Sequence, residues 1–237
     1  MRGRAVVHVR LDRRLWLFAA PRNRVERIEV SHDGTGTLGH LTESLGVPLT
    51  EVGSLRVDGQ PARPGEQPGP GATVEVRPVD RPQRVPPRFV LDVHLGKLAR
   101  RLRLLGVDAA YRNDAADDEL IEQAAREDRV LLTQDRGILR RRALRCGAYV
   151  RGSGPAEQLD DVLDRFAPPL APWTRCTLCN GALEPVPKHE VVDEIEPGTR
   201  RCFDDYARCA ACGQVYWRGA HARRINAIIR SASGGTG

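Results

Sequence analysis

Acidic residues follow several apolar runs in the middle of the chain, and their spacing suggests chemistry. Asp92 closes FVLD, Asp135 follows VLLTQ, and Asp117 and Asp118 open DDELIEQAARED. Carboxylates gathered at one place repel one another unless a cation or a proton sits among them. A few such oxygen ligands, with water completing the shell, describe a Mg²⁺ or Mn²⁺ site. A site of that kind can activate water for phosphodiester cleavage.

Each of these acids also has a structural explanation. Asp117 and Asp135 could cap helices through their side-chain oxygens, and Asp92 could be a turn residue at the end of a strand. Asp92 is the hardest to explain in this way, because FVLDVHL places a carboxylate inside an apolar run, where a lone charge is costly. We predict that Asp92, Asp117 and Asp135 bind the catalytic metal, and Asp118 is kept as a catalytic candidate beside Asp117.

Basic side chains lie close to these acids in the sequence. They are Lys97, Arg100, Arg101 and Arg103 on the predicted helix after FVLD, and Arg136 in the stretch VLLTQDRGIL. We predict that Lys97, Arg101 and Arg136 contact the phosphates of a substrate, with Thr133 as a nearby hydroxyl. Ordinary solvation of a charged helix face accounts for the same basic residues equally well.

Four cysteines have the spacing of a structural zinc site. CTLC and CAAC are two C-x-x-C knuckles, and together they can present four thiolates to a tetrahedral ion. We predict that this closed site contributes folding energy rather than chemistry. Its ligands are Cys176, Cys179, Cys209 and Cys212, whereas Cys146 and Cys202 fall outside the pattern and are predicted to be free thiols.

The composition is rich in arginine and poor in lysine. The chain has 237 residues, a formal net charge of +6 and 37 basic residues, of which Lys97 and Lys188 are the lysines. Arginine suits phosphate recognition, although the count alone favours nucleic acid only mildly. The sequence has no apolar stretch as long as a membrane span and no secretory signal, so we expect a cytoplasmic protein without membrane contact.

Alternating strands and helices must position the acids. From Phe89 the pattern predicts strands near 89–92, 108–111, 130–133 and 148–150, with helices over 95–105, 118–127, 139–144 and 156–166. This order predicts an α/β fold with a mainly parallel sheet flanked by helices. Such sheets bind ligands at the carboxyl ends of their strands, where the predicted acids lie.

Two further modules flank this region. Strand-like runs around Val7, Ile28 and Val74, with one helix capped by Thr37, predict a small α+β unit. The predicted boundaries are 1–80 for this unit, 81–87 for a Pro-rich linker, 88–170 for the α/β domain, 171–230 for the cysteine module and 231–237 for a disordered tail.

The quoted motifs together resemble a known family. FVLDVHLGKLARRLRLLG, RVLLTQDRGIL, RCTLCN and CAACGQVYWRGAH resemble the Mut-seven C-terminal RNase family, a PIN-like nuclease domain with an appended zinc ribbon. TLGHLTESLGVPLTEV resembles the ubiquitin-like β-grasp domain often fused ahead of it. The resemblance implies a metal-dependent RNase and assigns the acidic roles to Asp92, Asp117 and Asp135. The β-grasp region differs from sulfur carriers, because it does not end in a free Gly-Gly terminus.

These observations predict a hydrolase that cleaves RNA with Mg²⁺ or Mn²⁺. The zinc ribbon would add stacking and phosphate contacts through residues that follow its second knuckle, namely Tyr216, Trp217, His221, Arg223 and Arg224. The aromatic pair could equally form the core of the ribbon. The β-grasp region is expected to dock a protein partner. The alternative is a non-catalytic, RNA- or ribosome-associated adaptor built from the same modules.

Overall fold

The computed structural model describes residues 5–32 and 34–217. Twelve strands are seen in this part of the chain: β1 (Ala5–Leu11), β2 (Ile28–His32), β3 (Val52–Val57), β4 (Gln60–Ala62), β5 (Thr73–Pro78), β6 (Arg88–Leu91), β7 (Asp108–Tyr111), β8 (Val130–Thr133), β9 (Gly147–Tyr149), β10 (Leu183–Val186), β11 (Tyr206–Cys209) and β12 (Val215–Trp217). The α-helices described are α1 (Leu38–Ser44), α2 (Gly96–Leu104), α3 (Asp117–Arg126), α4 (Pro155–Phe166), α5 (Lys188–Val191) and α6 (Pro197–Cys202).

The chain divides into two compact units. The first unit contains residues up to Gln83 together with Thr133–Tyr149, and the second contains Arg84–Leu132 together with the residues from Val150 onward. The predicted α/β domain therefore contributes a segment, 133–149, to the first unit. The predicted domain boundaries follow the sequence modules instead, and they stay predictions.

The first unit contains a β-grasp-like sheet. Its strand order is β2-β1-β5-β3-β4, with β1 and β5 parallel and the other neighbours antiparallel. Alternation along β1 buries Val7, Val9 and Leu11, as predicted. Helix α1 begins after Thr37, whose hydroxyl oxygen accepts a hydrogen bond from the His40 amide. The mixed α/β fold class, with this N-terminal sheet, is confirmed.

The second unit contains the parallel sheet. Strand β6 pairs in parallel with β7 on one side and with β8 on the other, and Leu91 lies opposite both Tyr111 and Leu132. Phe89, Val90 and Leu91 are fully buried because helices cover both faces of such a sheet. Helix α2 buries Leu98, Ala99 and Leu102 and ends before Gly106, whose φ of +78° stops the helix.

One predicted helix is wrong. In place of a helix over 139–144 the chain forms a single 3-10 turn at Ile138–Arg140, followed by a tight turn in which the Leu144 amide donates to the Arg141 carbonyl. Ile138, Leu139 and Leu144 are all buried. Leu139 and Leu144 are five positions apart, a spacing that does not place two side chains on the same face of an α-helix, so one helix would not bury both.

The cysteine module is a small three-stranded sheet with order β10-β11-β12. Both neighbouring pairs are antiparallel. Its core is formed by Val191, Ile195, Tyr206 and Val215, with Val186 and Phe203 packed against it. Helices α5 and α6 lie between the knuckles, which explains the long interval between the two C-x-x-C motifs.

Candidate functional site

The four predicted zinc ligands come together. The sulfurs of Cys176, Cys179, Cys209 and Cys212 all lie within 4.8 Å of one another. The Cys176–Cys212 sulfur distance is 3.7 Å and the Cys179–Cys209 distance is 3.4 Å. Four sulfurs at about 2.3 Å from a tetrahedral zinc ion would be about 3.8 Å apart, so the cluster has nearly the required size. These residues could bind zinc.

Tight turns hold the first knuckle in place. Asn180 has a φ of +72°, and the Gly181 amide donates to the Cys179 sulfur at 3.4 Å. A Cβ atom on Gly181 would lie 2.8 Å from the Cys209 sulfur and 3.3 Å from the Cys179 sulfur. A side chain at Gly181 would therefore occupy space that the sulfurs need.

The electrostatics of the cluster favour a cation. Burial raises the pKa of Cys176, but hydrogen bonds from the Tyr216 hydroxyl and the Cys179 amide bring it down to about 6. Burial and the neighbouring sulfurs raise the pKa of Cys179 to about 12. Deprotonation of one cysteine is thus favourable, whereas deprotonation of a second one is unfavourable, because the two negative charges would be close together. A bound cation removes that repulsion and would hold all four groups as thiolates.

Arg103 fixes the cysteine module to the parallel sheet. Its guanidinium donates to the carbonyls of Thr177 and Leu178, at 3.1 and 2.7 Å, and to the Ala109 carbonyl at 2.8 Å. Only 2% of its surface is exposed, and burial lowers its pKa. The sequence places Arg103 on a phosphate-binding face of α2, whereas the structure uses it to satisfy carbonyls of the first knuckle.

A second buried network surrounds Asp108 at the start of β7. The Asp108 carboxylate accepts hydrogen bonds from Arg129 at 2.6 Å and from Asn180 at 2.8 Å, and Arg175 lies 3.4 Å away. Burial raises the pKa of Asp108, but these hydrogen bonds and the charges of Arg129 and Arg175 hold it below its ordinary value. The network joins the sheet to the knuckle that carries Cys179.

Asp92 lies at the carboxyl end of β6 and is buried. Only 5% of its surface is exposed. Its amide donates to the Leu132 carbonyl at 3.0 Å, and its own carbonyl accepts from the Leu95 amide in the turn that leads to α2. The Tyr111 hydroxyl donates to the Val93 carbonyl at 2.8 Å and supports the same turn. The backbone therefore holds this carboxylate at the edge of the sheet where α/β folds bind ligands.

Asp117 and Asp118 form the first turn of α3 and are exposed. Ala116, rather than Asp117, is the residue that precedes the helix, and the Glu119 carboxylate accepts a hydrogen bond from the Ala116 amide at 3.0 Å. Capping by Asp117 is therefore excluded. Within residues 5–32 and 34–217, the four cysteines bring their potential metal-ligand atoms close together. Asp92, Asp117 and Asp118 do not belong to a group of three or more such residues in this part of the chain.

Asp135 and its neighbours belong to the first unit. The Asp135 amide donates to the hydroxyl oxygen of Thr133 at 2.8 Å, and its carboxylate accepts from the Gly137 amide. Thr133 is fully buried. Arg136 donates to the Leu17 carbonyl at 2.9 Å and lies over the rings of Phe18 and Tyr149. Substrate binding by Thr133 and Arg136 stays a prediction.

Basic residues of α2 differ in their surroundings. Lys97 and Arg100 are exposed, and Arg101 is half-buried. With His94, Lys97 and Arg100 line a cavity of about 540 Å³ that also involves Tyr111 and the start of α4. Arg101 does not line it.

Aromatic residues of the cysteine module have separate roles. Tyr206 is part of the core, and the Tyr216 hydroxyl lies 3.1 Å from the Cys176 sulfur. Trp217 is 37% exposed. Neither Tyr216 nor Trp217 belongs to the core cluster, so the expectation that this pair forms the core is not met in the described chain. His221, Arg223 and Arg224, and the tail 231–237, lie outside the described residues.

Sequence reasoning missed the residues that join the cysteine module to the sheet. Arg103, Asp108 and Arg129 are far apart from the knuckles in sequence, and no motif marks them. Asn180, directly after Cys179, is a local indication of the turn in the first knuckle, because an asparagine readily adopts positive φ. Among the described residues, no helix has the length and apolarity needed to span a bilayer.

Comparisons with known proteins assign the chain to a family. The profile described as Mut7-C RNAse domain matches residues 87–229, and the profile described as Mut7-C ubiquitin matches residues 4–84. No curated protein matches. The crystal structure of SAMP1 from Haloferax volcanii is 18% identical, covers 32% of this chain and 96% of its own, and has a TM-score of 0.26. The RNAse match suggests a nuclease-like function, and the ubiquitin-like match suggests a protein-interaction role. Because the first match spans more than half of the sequence, the chain belongs to the Mut7-C RNAse domain family, with a ubiquitin-like domain ahead of it.

Proposed function

We propose that this protein is a metal-dependent ribonuclease whose active site is built on Asp92. The observation that carries the proposal is the burial of the Asp92 carboxylate at the carboxyl end of β6, within a Mut7-C RNAse domain. Buried carboxylates at a ligand-binding edge are candidates for functional groups. The carboxyl edge of a parallel sheet is also the usual ligand-binding edge.

Three further acids belong to the proposed site. Asp117 and Asp118 begin α3, which follows β7, and β7 is the parallel neighbour of β6. Both carboxylates are exposed to solvent. Asp135 is included on its place in the sequence, shortly after the end of β8. Carboxylate oxygens are the donors that Mg²⁺ and Mn²⁺ prefer, so the chemistry of the donor set fits either ion.

Each part of the chain has a role in this proposal. A bound Mg²⁺ or Mn²⁺ would supply an activated water and neutralise charge on the phosphodiester. Asp92, held by the Leu132 carbonyl and by the turn into α2, fixes the position of the site. Lys97 and Arg101 on α2 attract the RNA backbone. The cysteine cluster binds zinc and keeps the ribbon folded against the sheet through Arg103.

The test is cleavage of a fluorescent single-stranded RNA by the full chain in the presence of Mn²⁺. Asp92→Asn should lower the rate by about a hundredfold or more, because it removes a negative ligand while preserving side-chain shape. Asp160→Asn is a matched control, since Asp160 is exposed on α4 and is not one of the proposed acids. Asp117→Asn and Asp118→Asn identify which residue of this pair contributes.

Different outcomes separate the two functions. Cleavage by Asp92→Asn at the rate of the unaltered chain, with zinc content and melting temperature unchanged, would overturn the assignment. An unaltered chain that binds RNA but never cleaves it, with either metal, would support a non-catalytic adaptor instead. RNA, a protein partner of the ubiquitin-like domain and catalytic Mg²⁺ or Mn²⁺ are all parts of this proposal.

A further inference from the structure

The second unit contains a cationic cavity beside the turn that follows Asp92. Its volume is about 540 Å³. It is lined by Val93, His94, Gly96, Lys97, Arg100, Tyr111, Ser153, Pro155 and Gln158. Among the described residues, the lining therefore includes two permanent cations and a histidine but no carboxylate. This composition selects for an anionic ligand.

The cations of this cavity have no competing partners among residues 5–32 and 34–217. Lys97 and Arg100 are three residues apart on α2, so they lie on the same helix face. In the part of the chain that the structure describes, neither forms an ion pair with a carboxylate. The acid closest in sequence to the α4 side of the cavity, Glu157, is engaged by the amide and hydroxyl of Ser153. The positive charge of the cavity is thus available to a ligand.

The other residues that line the cavity indicate which chemical group the ligand carries besides its anion. A cavity of this volume is much larger than a phosphate group and falls in the range of small-molecule sites, about 300 to 1,000 Å³. Tyr111 supplies an aromatic ring, and Val93 and Pro155 supply apolar contact. Ser153 and Gln158 supply polar groups. A ligand with an anionic end and a flat ring matches this combination, because bases stack on aromatic side chains while their phosphates bind cations.

Tyr111 is held in a fixed position. Its hydroxyl donates to the Val93 carbonyl, and a Cβ atom on Gly96 would lie 2.7 Å from that hydroxyl. The start of α2 is therefore packed directly against Tyr111, and glycine at position 96 makes this approach possible. A rigid ring beside two cations requires little ordering when a ligand binds.

We propose that this cavity binds one nucleotide of RNA, with its phosphate on Lys97 and Arg100. The proposal rests on the ribonuclease function and names a subsite next to the turn that carries Asp92. The site accepts a nucleoside monophosphate as a free ligand. The α2 arginines differ in this respect: Arg100 lines the cavity, whereas Arg103 donates to carbonyls of the first knuckle.

Direct binding of mononucleotides to the full chain tests this subsite. Uridine 5′-monophosphate and adenosine 5′-monophosphate are titrated calorimetrically into the zinc-loaded protein without added Mg²⁺ or Mn²⁺. Uridine and inorganic phosphate are titrated in parallel. We expect the monophosphates to bind at least tenfold more tightly than either fragment. The doubly substituted Lys97→Gln, Arg100→Gln chain should bind them at least tenfold more weakly than the unaltered chain.

A control substitution outside the cavity and a folding control complete the experiment. Arg126→Gln removes one exposed arginine of α3 that does not line the cavity and should leave nucleotide affinity unchanged. Melting temperature and zinc content show whether the double variant is folded. The single variant Arg100→Lys keeps the positive charge and should retain much of the nucleotide affinity of the unaltered chain.

Two results would overturn the proposal. Equal affinity for inorganic phosphate and for the monophosphates would mean a simple anion site. Equal nucleotide affinity in the double variant and the unaltered chain would place binding elsewhere. Because these titrations need no cleavage, they differ from the test of Asp92. Nucleotide binding together with full activity of Asp92→Asn would reject Asp92 as the centre of the active site and leave the cavity proposal intact.

Discussion

Arg136 should hold the segment 133–149 in place within the first unit, and its replacement by alanine should loosen that segment. Its guanidinium donates to the Leu17 carbonyl at 2.9 Å and lies 5.7 and 5.9 Å from the ring centres of Phe18 and Tyr149. Those two rings are 5.3 Å apart in an edge-to-face arrangement. The arginine therefore bridges both aromatic side chains.

The magnitude follows from these contacts. An exposed hydrogen bond contributes about 0.5 to 1.5 kcal/mol, and each exposed cation–π contact about 0.5 to 1 kcal/mol. Because contacts that share one guanidinium are not additive, a loss of about 1 to 2 kcal/mol is expected. If the segment opens locally, that loss corresponds to about a five- to thirtyfold faster amide exchange. Other contacts remain, including the Tyr149 amide on the buried Glu51 carboxylate at 2.7 Å.

Hydrogen–deuterium exchange of peptides covering 133–149 measures this effect. The Arg140 and Leu144 amides are useful reporters, because both donate to carbonyls within the segment. Arg142→Ala is the matched control, since Arg142 is exposed in the same arginine run and makes no contact of this kind among the described residues. Equal exchange in the Arg136→Ala and Arg142→Ala chains would refute the reasoning. Peptides of the second unit should exchange at the same rate in all three proteins.

Three further predictions concern the second unit. Gly181→Ala should weaken zinc binding by tenfold or more in a competition with a chelator, because a Cβ would lie 2.8 Å from the Cys209 sulfur, whereas Gly198→Ala has open space and should not. Gly106→Ala should lower the free energy of unfolding by about 2 to 4 kcal/mol, measured by urea denaturation, because it combines a positive φ with a Cβ 1.9 Å from a backbone oxygen; an unchanged midpoint would contradict this. Asp108→Asn should destabilise by about 1 to 3 kcal/mol at pH 7. Because the folded pKa of Asp108 is lowered, its stabilisation is present above the unfolded value of 3.8 and lost as pH falls through the folded value, so the difference between the two proteins should stay constant from pH 8 to 5. A difference that shrinks within that range would contradict the assignment.

Strong local signals made much of the fold predictable. The strands β7 and β8 and the ends of α4 follow closely from apolar runs bounded by glycine, proline and aspartate. The cysteine cluster follows from the knuckle spacing alone, because a C-x-x-C turn leaves few ways to arrange two sulfurs. In each case the signal lies within a few residues of the element that it predicts.

The failures involve contacts between residues that are far apart in sequence. The segment 133–149 belongs with residues 1–83, because Ile138, Leu139 and Leu144 are buried there and Arg136 contacts Leu17 and Phe18. No periodicity encodes which distant surface a short apolar segment will cover. The same reason explains the incorrect prediction of a helix over 139–144. A 3-10 turn and tertiary contacts, rather than one face of a helix, bury the apolar side chains of this segment.

Arginine shows most clearly why composition alone says little about nucleic-acid binding here. The sequence offers a basic helix face on α2, yet Arg103 is 2% exposed and satisfies two knuckle carbonyls. Arg129 is 8% exposed and neutralises Asp108. A planar fork with several donors suits such buried carbonyls and carboxylates as well as it suits phosphate. Charge that is already paired attracts RNA weakly, whereas Lys97 and Arg100 form no ion pair with a carboxylate in the described part of the chain. The proposed nucleotide subsite therefore depends on where arginine is left unsatisfied, not on how much of it the chain contains.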